Sequence, residues 1–243
     1  MIKGFIFDLD NTLIDDDKGW EKALRQTCEY ISGNYNIGHT KEEIYKAYKK
    51  ISDYEWNNYS SYLADFISRQ EKREYVWRKT LEYMDCYSNE SQVKDITEAF
   101  SEFRENNVIA YDYAQQLLEK IEQMGLKAIV CTDGEETLQK MKCSRANMDR
   151  LIDKIISAAD LGCPKPEKKV FDKCVEYLGI DADTLMYIGD DEVKDIMGAH
   201  NAGMQAMLVN GKDGVALKDI YENLEEIVRT GKLKISKGGD YDS

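Results

Sequence analysis

The feature that most constrains this chain sits at its beginning, where Phe5-Ile6-Phe7 runs into Asp8-Leu9-Asp10. An apolar run this short, bounded by polar residues, reads as a buried strand of a parallel sheet covered on both faces. Side chains alternate along a strand, so Asp8 and Asp10 are expected on one side and Leu9 on the other. Two carboxylates then stand together at the strand's carboxyl end, where open α/β sheets bind ligands. Such a pair repels itself unless a proton or a cation intervenes, and a divalent metal is the simplest answer. An Asp-x-Asp after a strand is also ordinary turn chemistry. On these residues alone the two readings stand even.

The rest of the chain supplies the context. From Gly19 to about Asn107 there is no convincing strand and no proline, and the apolar residues recur at helical spacing. Trp20, Leu24, Thr27/Cys28 and Ile31 form one such series, and Ile44, Tyr48 and Ile51 a second. Val76, Leu81 and Met84, then Ile96, Phe100 and Phe103, complete a block of about four helices. From Ile109 onward strands and helices alternate: a helix over Tyr113–Met124 stopped by Gly125, a strand over Leu126–Cys131, and a helix from Gly134 to about Cys143. A short strand at Ile155–Ser157, a helix over Glu167–Leu178 and a strand over Leu185–Ile188 follow. A helix over Glu192–Asn201, a strand over Gln205–Val209 and a closing helix over Tyr221–Arg229 end the series, and the tail beyond Gly231 reads as frayed. Alternation of this kind implies right-handed crossovers and a mainly parallel, doubly wound α/β sheet. The expected plan is an α/β core of residues 1–15 and 109–243 with a helical insert over 16–108.

Charge and cysteine usage narrow the partners. A formal net charge of −13 over 243 residues argues against nucleic acid or an anionic membrane, both of which call for basic patches. A small phosphorylated molecule needs only local positive charge. No basic segment followed by an apolar stretch opens the sequence, and no run reaches membrane-spanning length, so the expectation is a cytoplasmic protein. The six cysteines show no Cys-x-x-Cys spacing and read as reduced structural thiols. Cys131, at a strand end, reads as a small core residue. The oligomeric state is not legible.

Three further strand ends carry polar signals. Cys131-Thr132-Asp133-Gly134 puts a hydroxyl, an acid and a glycine at a strand-to-helix turn, where backbone N–H groups form an anion site. Lys165 stands between Pro164 and Pro166, the chain's only prolines, which hold it in an extended loop just before a helix. A rigidly held ammonium suits a phosphate or an acidic cluster. Gly189-Asp190-Asp191-Glu192 with Asp195 is the densest acidic cluster at a strand end. Asp190 could complete a magnesium site with Asp8 and Asp10. Asp195 could orient a metal-bound water or pair with Lys165, and Asp191 is a second candidate to support the metal site from behind its ligands, unless it or Glu192 is only a helix-start acid.

Together Asp8-Leu9-Asp10-Asn11-Thr12, Thr132, Lys165-Pro166 and Gly189-Asp190 with Asp195 resemble, in order and over nearly the whole chain, the haloacid dehalogenase superfamily of hydrolases. The resemblance implies a Rossmann-like core with an inserted helical cap and Mg²⁺ as cofactor. It implies Asp8 as the nucleophile, forming an aspartyl-phosphate, and Asp10 as general acid and then base. Mg²⁺ would be held by Asp8, the Asp10 backbone carbonyl and Asp190, and the phosphoryl group by Thr132, the Asp133 N–H and Lys165. The dehalogenases of this superfamily lack the second aspartate, so Asp10 favours a phosphatase acting on a small soluble metabolite. A sugar phosphomutase would use the same core residues, and a non-catalytic binding protein is the remaining alternative. Asp133 departs from the family's frequent Asn, and Ala110-Tyr111-Asp112-Tyr113 lacks the proline common after the cap. Nothing between Gly19 and Asn107 names the substrate, although Trp20, close after the Asp8 loop, is a candidate pocket wall.

Overall fold

The computed structural model describes residues 1–58, 68–86, 89–210 and 214–233. The chain divides into two compact units, one of Met1–Asp16 with Val108–Ser243 and one of Asp17–Asn107.

The first unit is built on five strands: β1 (Gly4–Phe7), β2 (Lys127–Thr132), β3 (Lys154–Ser157), β4 (Leu185–Gly189) and β5 (Gln205–Leu208). They lie in the order β3-β2-β1-β4-β5, and every neighbouring pair is parallel. The strand that opens the chain is therefore the middle of the sheet. Phe7 pairs in register with Val130 of β2 and Ile188 of β4, which brings the carboxyl ends of the three strands level.

Both faces are covered, which is why β1 reads as an unbroken apolar run. Phe5 and Phe7 face a cluster with Val130, Met186 and Ile188, while Ile6 faces another with Ile129, Cys131 and Tyr187. Onto the first face pack α5 (Ala114–Gln123), α10 (Leu217–Glu222) and α11 (Leu224–Thr230), through Leu117, Leu118, Ile121, Ile220, Leu224 and Ile227. Onto the second packs α8 (Lys168–Leu178), through Val170, Phe171, Cys174 and Leu178. The short helices α6 (Glu136–Arg145) and α7 (Ala158–Leu161) follow β2 and β3. The architecture is the doubly wound parallel α/β sheet.

Two expectations are corrected. The single closing helix is two, α10 and α11, broken at Asn223, whose side chain donates to the Asp219 carbonyl at 2.8 Å. Asparagine competes with the helix for backbone partners in this way. The helix after β4 opens as six residues of π-helix, Glu192–Met197, before α9 (Gly198–Asn201) resumes the α form. Ile196 N–H donates to the Asp191 carbonyl, five residues back, at 3.2 Å. Such widened turns concentrate at functional sites. The expectation of a frayed tail beyond Gly231 falls, from residue 234 onward, outside the described residues.

The second unit holds four helices: α1 (Asp16–Asn34, with its first residue in the first unit), α2 (Lys41–Asn58), α3 (Arg69–Tyr83) and α4 (Glu90–Asn106). Leu24, Cys28 and Ile31 of α1 share a core with Ile44 and Tyr48, Trp77 and Leu81, and Ile96 and Phe100. Tyr48, Trp77 and Phe100 interlock at ring separations of 4.2–5.9 Å, so Tyr48 packs helices together. Trp20 lies against the edge of the same core, 6.2 Å from the Tyr48 ring. Ser68 and Glu71 form a capping box that fixes the start of α3, and Asn89 caps α4.

Phe171 is fully buried with its ring 5.4 Å from that of Tyr187. Phe171→Ala is expected to cost about 3–5 kcal/mol. The measurement is a lowered denaturant midpoint at unchanged m-value, and an unshifted midpoint would contradict this packing.

Candidate active site

The three central strand ends meet at Lys165. Its ammonium lies 2.7 Å from Asp8 Oδ1 and 2.7 Å from Asp195 Oδ1, and all three side chains are buried. Asp8 follows β1 directly, and its N–H donates to the Ile188 carbonyl of β4 at 2.9 Å. Asp195 comes from the π-helical turn after β4. Its Oδ2 accepts the Asp191 N–H at 3.1 Å, and the Tyr187 hydroxyl lies 3.1 Å from its Oδ1. Gly189 makes room, because a Cβ there would stand 2.4 Å from the Asp195 carboxyl. The loop carrying Lys165, joined to Pro166 by a cis peptide, is pinned by Asp133, whose Oδ1 accepts the Lys165 N–H at 2.9 Å.

Burial works against the Lys165 ammonium, but the charges of Asp8 and Asp195 outweigh it and push its pKa up. Burial also pushes the Asp8 carboxyl up, to about 8, opposed by Lys165 and reinforced by Asp195 and Asp10. Asp190 is raised in turn by burial and by Asp195. The cluster is short of positive charge. Asp8, Asp190 and Asp195 each offer a carboxylate oxygen, all within 4.8 Å of one another. Hard oxygen donors around a site lacking cationic charge fit Mg²⁺.

Asp10 lies beyond the end of β1, and its carboxylate is held from α6. β1 ends at Phe7, and the chain then turns tightly, with the N–H groups of Leu13 and Ile14 both donating to the Leu9 carbonyl at 3.0 Å. Asn11 is left-handed, with φ 59°. Asp10 Oδ1 lies 2.5 Å from Lys142 Nζ, and Oδ2 accepts from Gln139 Nε2 at 2.9 Å. Its carboxylate thus has partners apart from the Asp8, Asp190 and Asp195 group. Thr12 donates to Asp190 Oδ1 at 3.2 Å, and Asn210 Nδ2 donates to the Asn11 and Thr12 carbonyls at 2.9 Å.

The remaining candidates divide by role. Thr132 ends β2 buried, its Oγ1 accepting from Gly134 N–H at 3.1 Å and from Gln139 Nε2 at 2.8 Å. The Asp133 carboxylate braces the Lys165 loop and lies 3.4 Å from Lys194 Nζ. Asp191 Oδ1 caps the π-helical turn by accepting the N–H groups of Val193 and Lys194 at 2.8 Å. Cys131 is fully buried and packs in the core. Gln139, Lys142 and Tyr187 carry no motif in the sequence, and Thr12 enters there only as the last residue of the Asp8–Thr12 motif. Lys142 and Gln139 carry a weak signal, since they lie one turn apart just after the Thr132 motif.

A doubly wound sheet whose central strand ends bring buried aspartates, a lysine and a glycine-bordered acidic turn together has its candidate site where open α/β sheets bind ligands. The sequence matches the haloacid dehalogenase-like hydrolase family over residues 2–203, and the chain belongs to that family. It is 25% identical to the glyceraldehyde 3-phosphate phosphatase of Methanothermobacter thermautotrophicus, with 91% of this chain and 92% of the relative covered. It is 23% identical to the N-acylneuraminate-9-phosphatase of Mus musculus, over 88% of this chain and 84% of the relative. The crystal structure of a HAD phosphatase from Thermococcus onnurineus superposes with a TM-score of 0.62 at 21% identity, covering 92% of this chain and 98% of that one. Among the described residues no helix is long and apolar enough to cross a membrane.

Two outcomes test this geometry. Without metal Asp8 is raised from its ordinary 3.8 to about 8, so the metal-free folded protein binds a proton there more tightly than the unfolded chain does. The stabilising contribution of this group is complete below about pH 4 and is lost as pH rises through about 8. In EDTA, wild type should lose melting temperature between pH 5 and 8 relative to Asp8→Asn, and Mg²⁺ should recover more of it at pH 8 than at pH 5. Parallel profiles would contradict the assignment. Lys165→Met leaves Asp8 and Asp195 facing each other without their ammonium, at an expected cost of about 3–5 kcal/mol. Calorimetry at pH 7.5 without metal reads that loss.

Proposed function

We propose that this protein is a Mg²⁺-dependent phosphomonoesterase acting on a small phosphorylated metabolite. The observation that carries the proposal is the buried Asp8 carboxylate, held 2.7 Å from Lys165 at the end of the central strand. An ammonium in that place fixes the carboxylate for attack and can also contact an incoming phosphoryl oxygen. Support for the substrate class comes from relatives named as phosphatases of glyceraldehyde 3-phosphate and of N-acylneuraminate 9-phosphate.

In this reading an Asp8 oxygen attacks phosphorus, the phosphorus–oxygen bond to the leaving group breaks, and Asp10 gives the departing oxygen its proton. Asp10, now a carboxylate, takes a proton from water as that water attacks the aspartyl-phosphate. Inorganic phosphate leaves and Asp8 is regenerated. Lys165, Thr132 and the Asp133 N–H hold the phosphoryl oxygens. Asp8 and Asp190, with the Asp10 carbonyl or Asp195, would hold Mg²⁺. That ion, when bound, offsets the negative charge that carboxylates and phosphate bring together. The helical unit Asp17–Asn107 serves as the cap that reads the leaving group.

A phosphate-release screen over phosphorylated metabolites with Mg²⁺ tests the proposal. Asp8→Asn is expected to lose activity on the order of 10³-fold or more while melting cooperatively. Asp190→Asn should need a higher Mg²⁺ concentration for half-maximal rate. Phosphate release at the wild-type rate by Asp8→Asn would rule out the assigned nucleophile.

A further inference from the structure

Helix α6 has an inward face that packing does not explain. Its buried residues are Gln139, Lys142 and Cys143, two of them polar, in a position where a sheet-covering helix ordinarily turns apolar side chains. Lysine is among the residues least often buried. Here Lys142 is only 5% exposed and Gln139 fully buried. Both reach Asp10: Lys142 Nζ its Oδ1 at 2.5 Å, Gln139 Nε2 its Oδ2 at 2.9 Å. Lys142 also reaches Asp16 Oδ1 at 2.8 Å, and Gln139 Nε2 reaches Thr132 Oγ1 at 2.8 Å.

Two details show that this hold on Asp10 is built. Gln139 Oε1 is buried with no hydrogen-bond partner among the described residues. An orphaned acceptor of that kind costs about 1–3 kcal/mol. Turning the amide over would set its oxygen against the Asp10 carboxylate, so the donor end is the one the site uses. Gly134 is also needed as glycine, because a Cβ there would fall 2.3 Å from Gln139 Nε2. The turn after β2 is shaped to let this amide through.

We infer that Gln139 and Lys142 are positioning residues for Asp10. Gripping both oxygens, they turn its carboxyl toward α6 and keep it out of the Asp8, Asp190 and Asp195 group. Asp10 is then left as a proton carrier at a fixed place beside the nucleophile. The inference rests on the proposed role of Asp10 toward the leaving oxygen. A purely structural role for Lys142, neutralising Asp10 and Asp16, predicts lost stability and no change in how the rate depends on the leaving group.

The test uses the full chain with Mg²⁺ and the variants Lys142→Met and Gln139→Met, close in size and lacking the donors. For each, kcat/KM is measured on p-nitrophenyl phosphate, whose leaving group departs unaided, and on an alkyl phosphate that the wild type hydrolyses, whose leaving group needs a proton. A displaced general acid should cost the alkyl ester at least about tenfold more than the aryl ester in both variants. Equal losses on the two esters, or wild-type values on both, overturn the inference. Should Lys142→Met fail to fold, Gln139→Met decides alone, because it leaves the Lys142 ion pairs in place. A wild type that hydrolyses no phosphomonoester removes the phosphatase reading and this inference together. Wild-type turnover without a leaving-group split removes the inference alone.

Discussion

An ammonium held between two buried carboxylates is the interaction on which the site depends. Removing Asp8, Lys165 and Asp195 from water is costly for each, and the cost is offset only while the three stay within hydrogen-bonding distance. They arrive from three separate segments: the end of β1, the loop before α8 and the turn after β4. The sheet register must therefore be right before any of them finds its partner. A second lysine with two aspartate partners lies on α6, where Lys142 is shared between the partly buried Asp10 and Asp16. Two lysines, each with two aspartates, hold two acids that stand two residues from one another in the chain.

The sheet was legible because burial on both faces leaves a plain mark, a short apolar run that stops at a charge. Lys165 could be found because its two prolines fix the backbone around it, and Asp190 because a glycine precedes it at a strand end. What escaped notice had no such punctuation. Gln139 and Lys142 lie in a helix whose inward face is polar, so apolar periodicity says nothing about which side points in. Tyr187 sits inside an apolar strand and reads as packing, although its hydroxyl lies at Asp195.

Asp133 shows how a departure from a family pattern can be absorbed. In place of the frequent asparagine the chain has a carboxylate, which accepts the Lys165 N–H and lies 3.4 Å from Lys194. Accepting an N–H requires only an oxygen, and either residue offers one. The extra negative charge finds a nearby ammonium. The brace on the Lys165 loop is thus compatible with both residues.

The placement of β1 has a consequence for how the molecule is made. β1 is the centre of the sheet, yet its neighbours β2 and β4 begin only at Lys127 and Leu185. Throughout synthesis of α1–α4 this apolar segment has no strand to pair with, while the helical unit can complete its own local contacts. Domains tend to fold as units as they emerge, and exposed strands of this kind are what chaperones shield. The long insertion itself adds little closure entropy, since that penalty grows only with the logarithm of length. The burden it imposes is one of waiting time, borne by Phe5, Ile6 and Phe7.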